Sequence, residues 1–283
     1  MRWGKLVLLL ACACGAPPRE PEIDPEFDAA ATTARDAFEA GRLSDAAQLY
    51  ERALDRARAM DDPAKIGAAA YNLAVCFVAA DEFDRAADAL AEAQLEFARA
   101  SDTAGAADAR VVAMRLAYRR GDTDTALALA RETVGAEAHI VRGEIACDRN
   151  DPDGASAEAA AARKEQTSPL GAAHLAHLEG RIARLRSKPA AAGAAFDEEA
   201  ARLREAKRYA ALSPALARAG EAYAAASMPR EAADRWFRAG RSAIARGDRE
   251  PAAAWAQQAY DAAQEAGDAR LLALCADLRE RTR

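Results

Sequence analysis

His174 and His177 stand one helical turn apart, and Arg181 and Arg184 continue the same face at steps of 3, 4 and 3 residues. Two imidazoles at that spacing begin a metal site, but a metal needs at least a third ligand. No other Cys or His lies within reach on this stretch, and Glu179 falls on another face. The row therefore reads either as a solvated helix face or as a basic stripe offered to a partner. The usual signatures of chemistry are missing: no Gly-rich phosphate loop follows a strand, no Ser stands on a nucleophile elbow, and no zincin-type His-Glu pair occurs. Acidic clusters such as Asp197-Glu198-Glu199 are solvated faces in this reading. The expectation is a protein that is not an enzyme and carries no cofactor or metal.

The elements that position these residues are helices. Hydrophobic residues make up 51% of 283 positions and aromatics only 6%, so Ala and Leu carry the apolar fraction. Ala has the highest helix propensity and lets helix axes approach closely. Net charge is −6, from 39 basic and 45 acidic residues interspersed along the chain. Phosphate neutralisation needs a clustered basic face, so nucleic acid is not expected as a partner.

Helical hairpins recur. Phe38 to Leu54 holds a helix end, a turn on Gly41, and a second helix with Ala46 and Ala53 around Tyr50. Aligning such turns gives Gly41, Asp81, Gly121, Asn150, Ser187, Ser227 and Gly247. The first two steps and the step from Ser187 to Ser227 are each 40 residues, and Ser227 to Gly247 is half a period. There the second helix of one pair also reads as the first of the next. Pro63, Pro152, Pro169, Pro189, Pro229 and Pro251 stand at helix starts, where the amide that proline lacks would be unpaired anyway. The predicted helices are 27–40, 43–60, 63–80, 83–101, 103–120, 123–134, 137–149, 152–165, 169–186, 189–206, 208–226, 229–246, 250–266 and 268–281. Pro214 is expected to bend or shorten its helix. Glu137 to Lys164 is short, which predicts a local change of twist.

The Gly, Leu, Ala, aromatic and Ala-Leu spacing resembles the tetratricopeptide repeat, best at Gly41/Ala46/Tyr50/Ala53, Leu73/Ala74/Phe77/Phe83/Ala86/Leu90/Ala93, Gly220/Tyr223/Ala232/Trp236/Ala239 and Gly240/Ala243/Gly247/Ala252/Ala259. The resemblance implies an all-α solenoid of about seven helical hairpins over residues 27–283, with the last helix as a cap. Each hairpin leans on its neighbours, so the chain should form a curved rod. Tyr50, Phe77, Phe97, Phe196, Trp236, Trp255 and Leu274 are expected to carry much of its core. Cys76, Cys147 and Cys275 fall in repeats that do not touch, and are read as buried free thiols.

In that family the first helix of each pair lines a concave groove that holds a protein or peptide. The register then places Arg35 and Phe38, Tyr71 and Val75, Arg115 and Tyr118, and His174, His177, Arg181 and Arg184 on the groove. Arg and aromatic residues of this kind dominate binding hot spots. The family's carboxylate clamp is not reproduced, since Ala31 and Arg35 stand at its positions in the first pair.

Residues 1–11 combine a positive start, Arg2 and Lys5, with the apolar run Leu6-Val7-Leu8-Leu9-Leu10-Ala11 before Cys12. The run falls far short of the ~20 residues that span a bilayer. It resembles a bacterial lipoprotein signal peptide, with Leu9-Leu10-Ala11-Cys12 as the processing motif. The resemblance implies lipidation of Cys12, a Pro-rich tether over 12–26, and a place in the bacterial cell envelope, with Ala13 pointing to the outer membrane. Cleavage before Cys14, a cytosolic regulatory repeat module with an apolar N-terminus, and an envelope hydrolase on a helical fold are the alternatives. The leading expectation is a membrane-anchored scaffold that binds a partner protein.

Overall fold

A computed structural model describes residues 24–165 and 168–282. It is all-α, and its helices follow one another as α1 (Pro25–Glu39), α2 (Leu43–Ala59), α3 (Pro63–Ala79), α4 (Phe83–Arg99), α5 (Thr103–Arg119), α6 (Thr123–Glu132), α7 (Ala136–Asp148), α8 (Pro152–Glu165), α9 (Pro169–Leu185), α10 (Pro189–Glu205), α11 (Tyr209–Ala225), α12 (Pro229–Arg246), α13 (Arg249–Ala266) and α14 (Ala269–Thr282). Each packs chiefly on its neighbours in sequence, which makes the fold a solenoid of helical hairpins.

The turns explain the regularity. Left-handed residues occur at Gly41, Asp61, Asp81, Ser101 and Gly121, and again at Ser187, Lys207, Ser227, Gly247 and Gly267, every 20 residues within each run. The bonding repeats with them. Gly41 N donates to Phe38 O at 2.9 Å and Arg42 N to Ala37 O at 2.9 Å; Lys207 N donates to Arg204 O at 3.1 Å and Arg208 N to Leu203 O at 2.8 Å. This Schellman closure satisfies carbonyls that a helix end would leave bare. The structural repeat is thus one helix plus one turn. Its capping residue often follows: Asp62, Asp102, Asp122 and Ser168 accept from the amides of Lys65, Gly105, Thr125 and Gly171 at 2.9–3.1 Å.

The N-terminal boundary differs from expectation. Helix α1 starts at Pro25 because Asp24 caps it, accepting from Phe27 N at 2.8 Å, and Arg56 Nη2 fixes the same carboxylate at 2.7 Å. Pro25 therefore opens a helix, where the sequence reading placed it in the tether. Cys12, Cys14 and the signal segment lie outside the described residues. Helix α11 runs through Pro214 without ending or shortening.

The core is thin and punctuated by rings. Tyr50, Phe77, Phe97, Phe196 and Trp236 are buried. Several rings press on glycines of the preceding helix, as Tyr223 does on Gly193 and Trp236 on Gly220; a Cβ at either glycine would come within 2.8 Å of the ring. Two of the expected core residues lie further out: Trp255 is half-buried, and Leu274 is 47% exposed on the outer side of α14, which buries Cys275 and Leu278 instead. Cys76, Cys147 and Cys275 are buried and free.

Helices α3, α5, α7 and α9 touch in turn, which puts the first helices on the inside of the curve. Past α11 the phase shifts, and α12 touches α14. Regularity fails in the middle. Helix α6 has ten residues, Thr133 is extended, Gly135 replaces the usual turn with φ 112°, and Val134 is almost fully exposed. No helix among the described residues is long and apolar enough to cross a membrane.

The rod also curls back on itself. The α10–α11 turn meets the α1–α2 turn, with Lys207 Nζ 3.0 Å from Glu39 Oε2. This contact bridges the two turns across the concave side of the rod.

Candidate partner-binding wall

Helices α5, α7 and α9 present their inward residues to one another, and the polar ones form a bonded chain. Arg115 of α5 donates through Nε to Glu137 Oε2 of α7 at 2.7 Å, and its Nη2 reaches the same oxygen. The other Glu137 oxygen accepts from His174 Nδ1 of α9 at 2.9 Å. Glu144, 5% exposed, stands 3.7 Å from Arg115 Nη1. Burial alone would raise the Glu137 pKa, but the charges of Arg115 and His174 outweigh it and hold the carboxyl well below its ordinary range. One turn further on, Arg181 donates to the Tyr118 hydroxyl at 2.8 Å and to Asp148 Oδ1 at 2.5 Å. Burial, and next the Glu144 charge, pushes the Tyr118 phenol up, so it stays protonated at neutral pH.

Four of the sequence-predicted residues, Arg115, Tyr118, His174 and Arg181, are thus brought together. His177 is not with them. Its Nδ1 is 3.2 Å from Glu199 of α10, which also takes Arg218 Nη2 of α11 at 2.6 Å, and its ring lies 5.9 Å from that of Phe196. The two imidazoles therefore serve different carboxylates, and no group of three or more metal-ligating side chains occurs among the described residues. Arg184 is exposed and only 4.0 Å from Glu221. Its neighbour on the row, Arg181, is bonded within the protein, whereas the Arg184 side chain is more than half exposed.

The other four predicted residues line the N-terminal mouth between α1 and α3. Arg35 is exposed; Phe38, Tyr71 and Val75 are half-buried. The mouth holds a residue from far along the chain. The guanidinium of Arg208 lies over the Phe38 ring, 4.6 Å from its centroid.

No family model and no curated protein matches the chain. Among solved structures it is similar to a Rap protein complexed with Competence and Sporulation Factor, at 13% identity and TM-score 0.49, over 91% of this chain and 64% of that one. The APC/C hetero-tetramer Cut9-Hcn1 gives 13% identity and TM-score 0.44, over 90% and 55%. A tetratricopeptide repeat protein from Parabacteroides merdae gives 13% and 0.41, over 89% and 99%. The chain spans less than two thirds of the first two.

Sequence reasoning missed the acidic half of the wall and the plug of the mouth. Glu144 carried a signal, a lone acid in the apolar stretch Val141 to Cys147 of a first helix. Arg208 carried another, a cation at the turn position that Asp62, Asp102 and Asp122 use for capping.

Proposed function

We propose that the chain is a non-enzymatic scaffold that holds a protein or peptide partner on its inner wall, fixed to a bacterial envelope membrane by lipid on Cys12. One observation carries the binding reading. Successive first helices place partly exposed Phe38, Tyr71, Arg115, Tyr118, His174 and Arg181 along the inside of one curve, an aromatic and cationic row suited to capture. The anchoring reading rests on Leu9-Leu10-Ala11-Cys12 after a short positive start.

Crosslinking in the native host, followed by identification of the retained protein, tests the scaffold. Charge reversal at Arg184 and Arg35 should weaken capture with the helical circular dichroism unchanged, because both side chains are exposed and Arg184 has only a 4.0 Å pairing with Glu221 to lose. Reversal at Arg181 is the poorer probe, since it would set a carboxylate against Asp148. Unchanged capture by the double variant returns the row to a solvated face. Mass spectrometry of the N-terminus tests the anchor. An acylated Cys12 is expected, and an unprocessed Met1 removes the envelope location and leaves a cytosolic adaptor.

A further inference from the structure

Arg208 occupies the N-cap of α11 but accepts no amide hydrogen, and α11 begins without a side-chain cap. Arg42, Lys188 and Met228 stand uncapped in the same way, so what sets Arg208 apart is where its side chain goes. Its guanidinium covers Phe38 at 4.6 Å and lies within electrostatic reach of Glu39, Tyr50, Tyr71 and Cys76. Burial lowers the pKa of this guanidinium, and Tyr71 and then Glu39 oppose that, so an aromatic face with a phenol and a carboxylate nearby receives the cation. Arg35 is the opposing cation here, and its charge is felt at the Tyr50 phenol.

Gly41 marks the same place independently. Its left-handed backbone does not demand glycine, because Asp61, Asp81 and Ser101 adopt that conformation in equivalent turns. Proximity sets it apart: a Cβ at Gly41 would lie 2.8 Å from Arg246 Cδ, which would have to shift, and 3.6 Å from Ala210 N, whereas one at Gly121, at nearly the same φ, would meet nothing within 4 Å. The seam is nonetheless wet, since the Lys207 side chain is 60% exposed, so it can open without unfolding a core.

We propose that the mouth formed by Phe38, Glu39, Tyr50 and Tyr71 is a guanidinium-binding site that the chain fills with its own Arg208, closing the solenoid, and that an arginine-bearing segment of a partner enters it by displacing the Lys207–Arg208 turn. The partner half rests on the scaffold reading; the closure does not.

The full chain tests both halves. In X-ray scattering, Arg208→Ala and Gly41→Asp should raise the radius of gyration, while Gly121→Asp, with the same turn conformation, leaves it unchanged. Hydrogen exchange across residues 36–42 should run about tenfold faster in the first two. Lys207→Glu should act in the same direction. For the site, the probe is acetyl-Gly-Gly-Arg-Gly-Gly-amide, with a lysine version as control. Arg208→Ala should bind the arginine peptide about tenfold more tightly than the unaltered chain, because the competing side chain is gone. The lysine version should bind more weakly, and Phe38→Ala in the same background should remove binding. Unchanged scattering and exchange in both Arg208→Ala and Gly41→Asp overturn the closure, as does an equal expansion in Gly121→Asp. Equal affinity of Arg208→Ala and the unaltered chain, or of the two peptides, overturns the site. Neither readout uses a captured partner, so failure of the scaffold reading would show separately.

Discussion

The two arms of the solenoid and its middle solve the same packing problem differently. From α1 to α5 and from α9 to α14 the turns recur every 20 residues, and rings such as Phe97, Phe196, Tyr223 and Trp236 fill glycine notches. At the α6–α7 junction the turn changes, α6 buries only Ala126 and Ala130, and ionic ties join the packing. Arg142 donates to Ala130 O at 2.8 Å, at the end of α6, and through Nε to Glu158 at 3.1 Å, while Arg115, Glu137 and His174 link the first helices. An alanine-rich repeat has little apolar area to bury at ~25 cal/mol per Å², so each segment depends on a few large contacts. In the arms these are rings; in the middle they are the aliphatic side chains of α7, Ile140, Val141 and Ile145, with charges bonded beside them.

Truncation should expose that contrast. Phe196 is fully buried, and Phe196→Ala should cost about 3–5 kcal/mol, read as a lowered urea midpoint. Leu127→Ala in α6, a half-buried position, should cost only about 1 kcal/mol. Comparable losses at the two sites would erase the distinction. Charge deletion should reverse the order. Arg115→Met leaves Glu137 and Glu144 facing each other without their cation, and should cost about 2–3 kcal/mol, below the fully buried range because Arg115 is partly exposed. Adding Glu137→Gln and Glu144→Gln should recover much of that. A triple variant no better than Arg115→Met would mean that shape, and not charge, holds the middle.

Acid should sharpen the same contrast. Glu137 has its pKa lowered in the folded chain from the ordinary value of 4.5, so its contribution is complete above about pH 4.5 and declines as pH falls toward the folded value. The stability difference between the unaltered chain and Glu137→Gln should therefore be largest near neutrality and shrink below about pH 4.5. A difference independent of pH would show that the Arg115–Glu137–His174 chain contributes through packing alone.

Much of this arrangement is legible in the residues. Prolines at N1 and capping Asp or Ser mark starts because helix ends must satisfy bare amides, and this is local chemistry. The 20-residue period is harder to see, since Asp61, Ser101 and Lys207 take a left-handed conformation usually signalled by glycine. The groove row is half legible: helical register places Arg115, Tyr118, His174 and Arg181 on one side, but the carboxylates that bind them come from α7, where the repeat pattern is weakest. The seam is not legible by register at all. Lys207 and Glu39 lie 168 residues apart, and their meeting depends on a curvature summed over nine intervening helices, α2 to α10.

The outer face supplies the smallest effect and a check on all of these. Arg58 of α2 pairs with Glu92 of α4 at 2.6 Å, and Glu51 with Arg85 at 2.7 Å, one repeat apart on the side away from the wall. Both arginines are about half exposed, so each pair works in water against side-chain entropy and salt. Arg58→Ala should cost only about 0.2–1 kcal/mol, and the loss should fade in high salt. The Arg115 network, being screened from water, should keep most of its contribution in the same salt. If both pairs lost stability in parallel as salt rose, the inner charges would be as solvated as the outer ones, and the middle of the solenoid would need another source of cohesion.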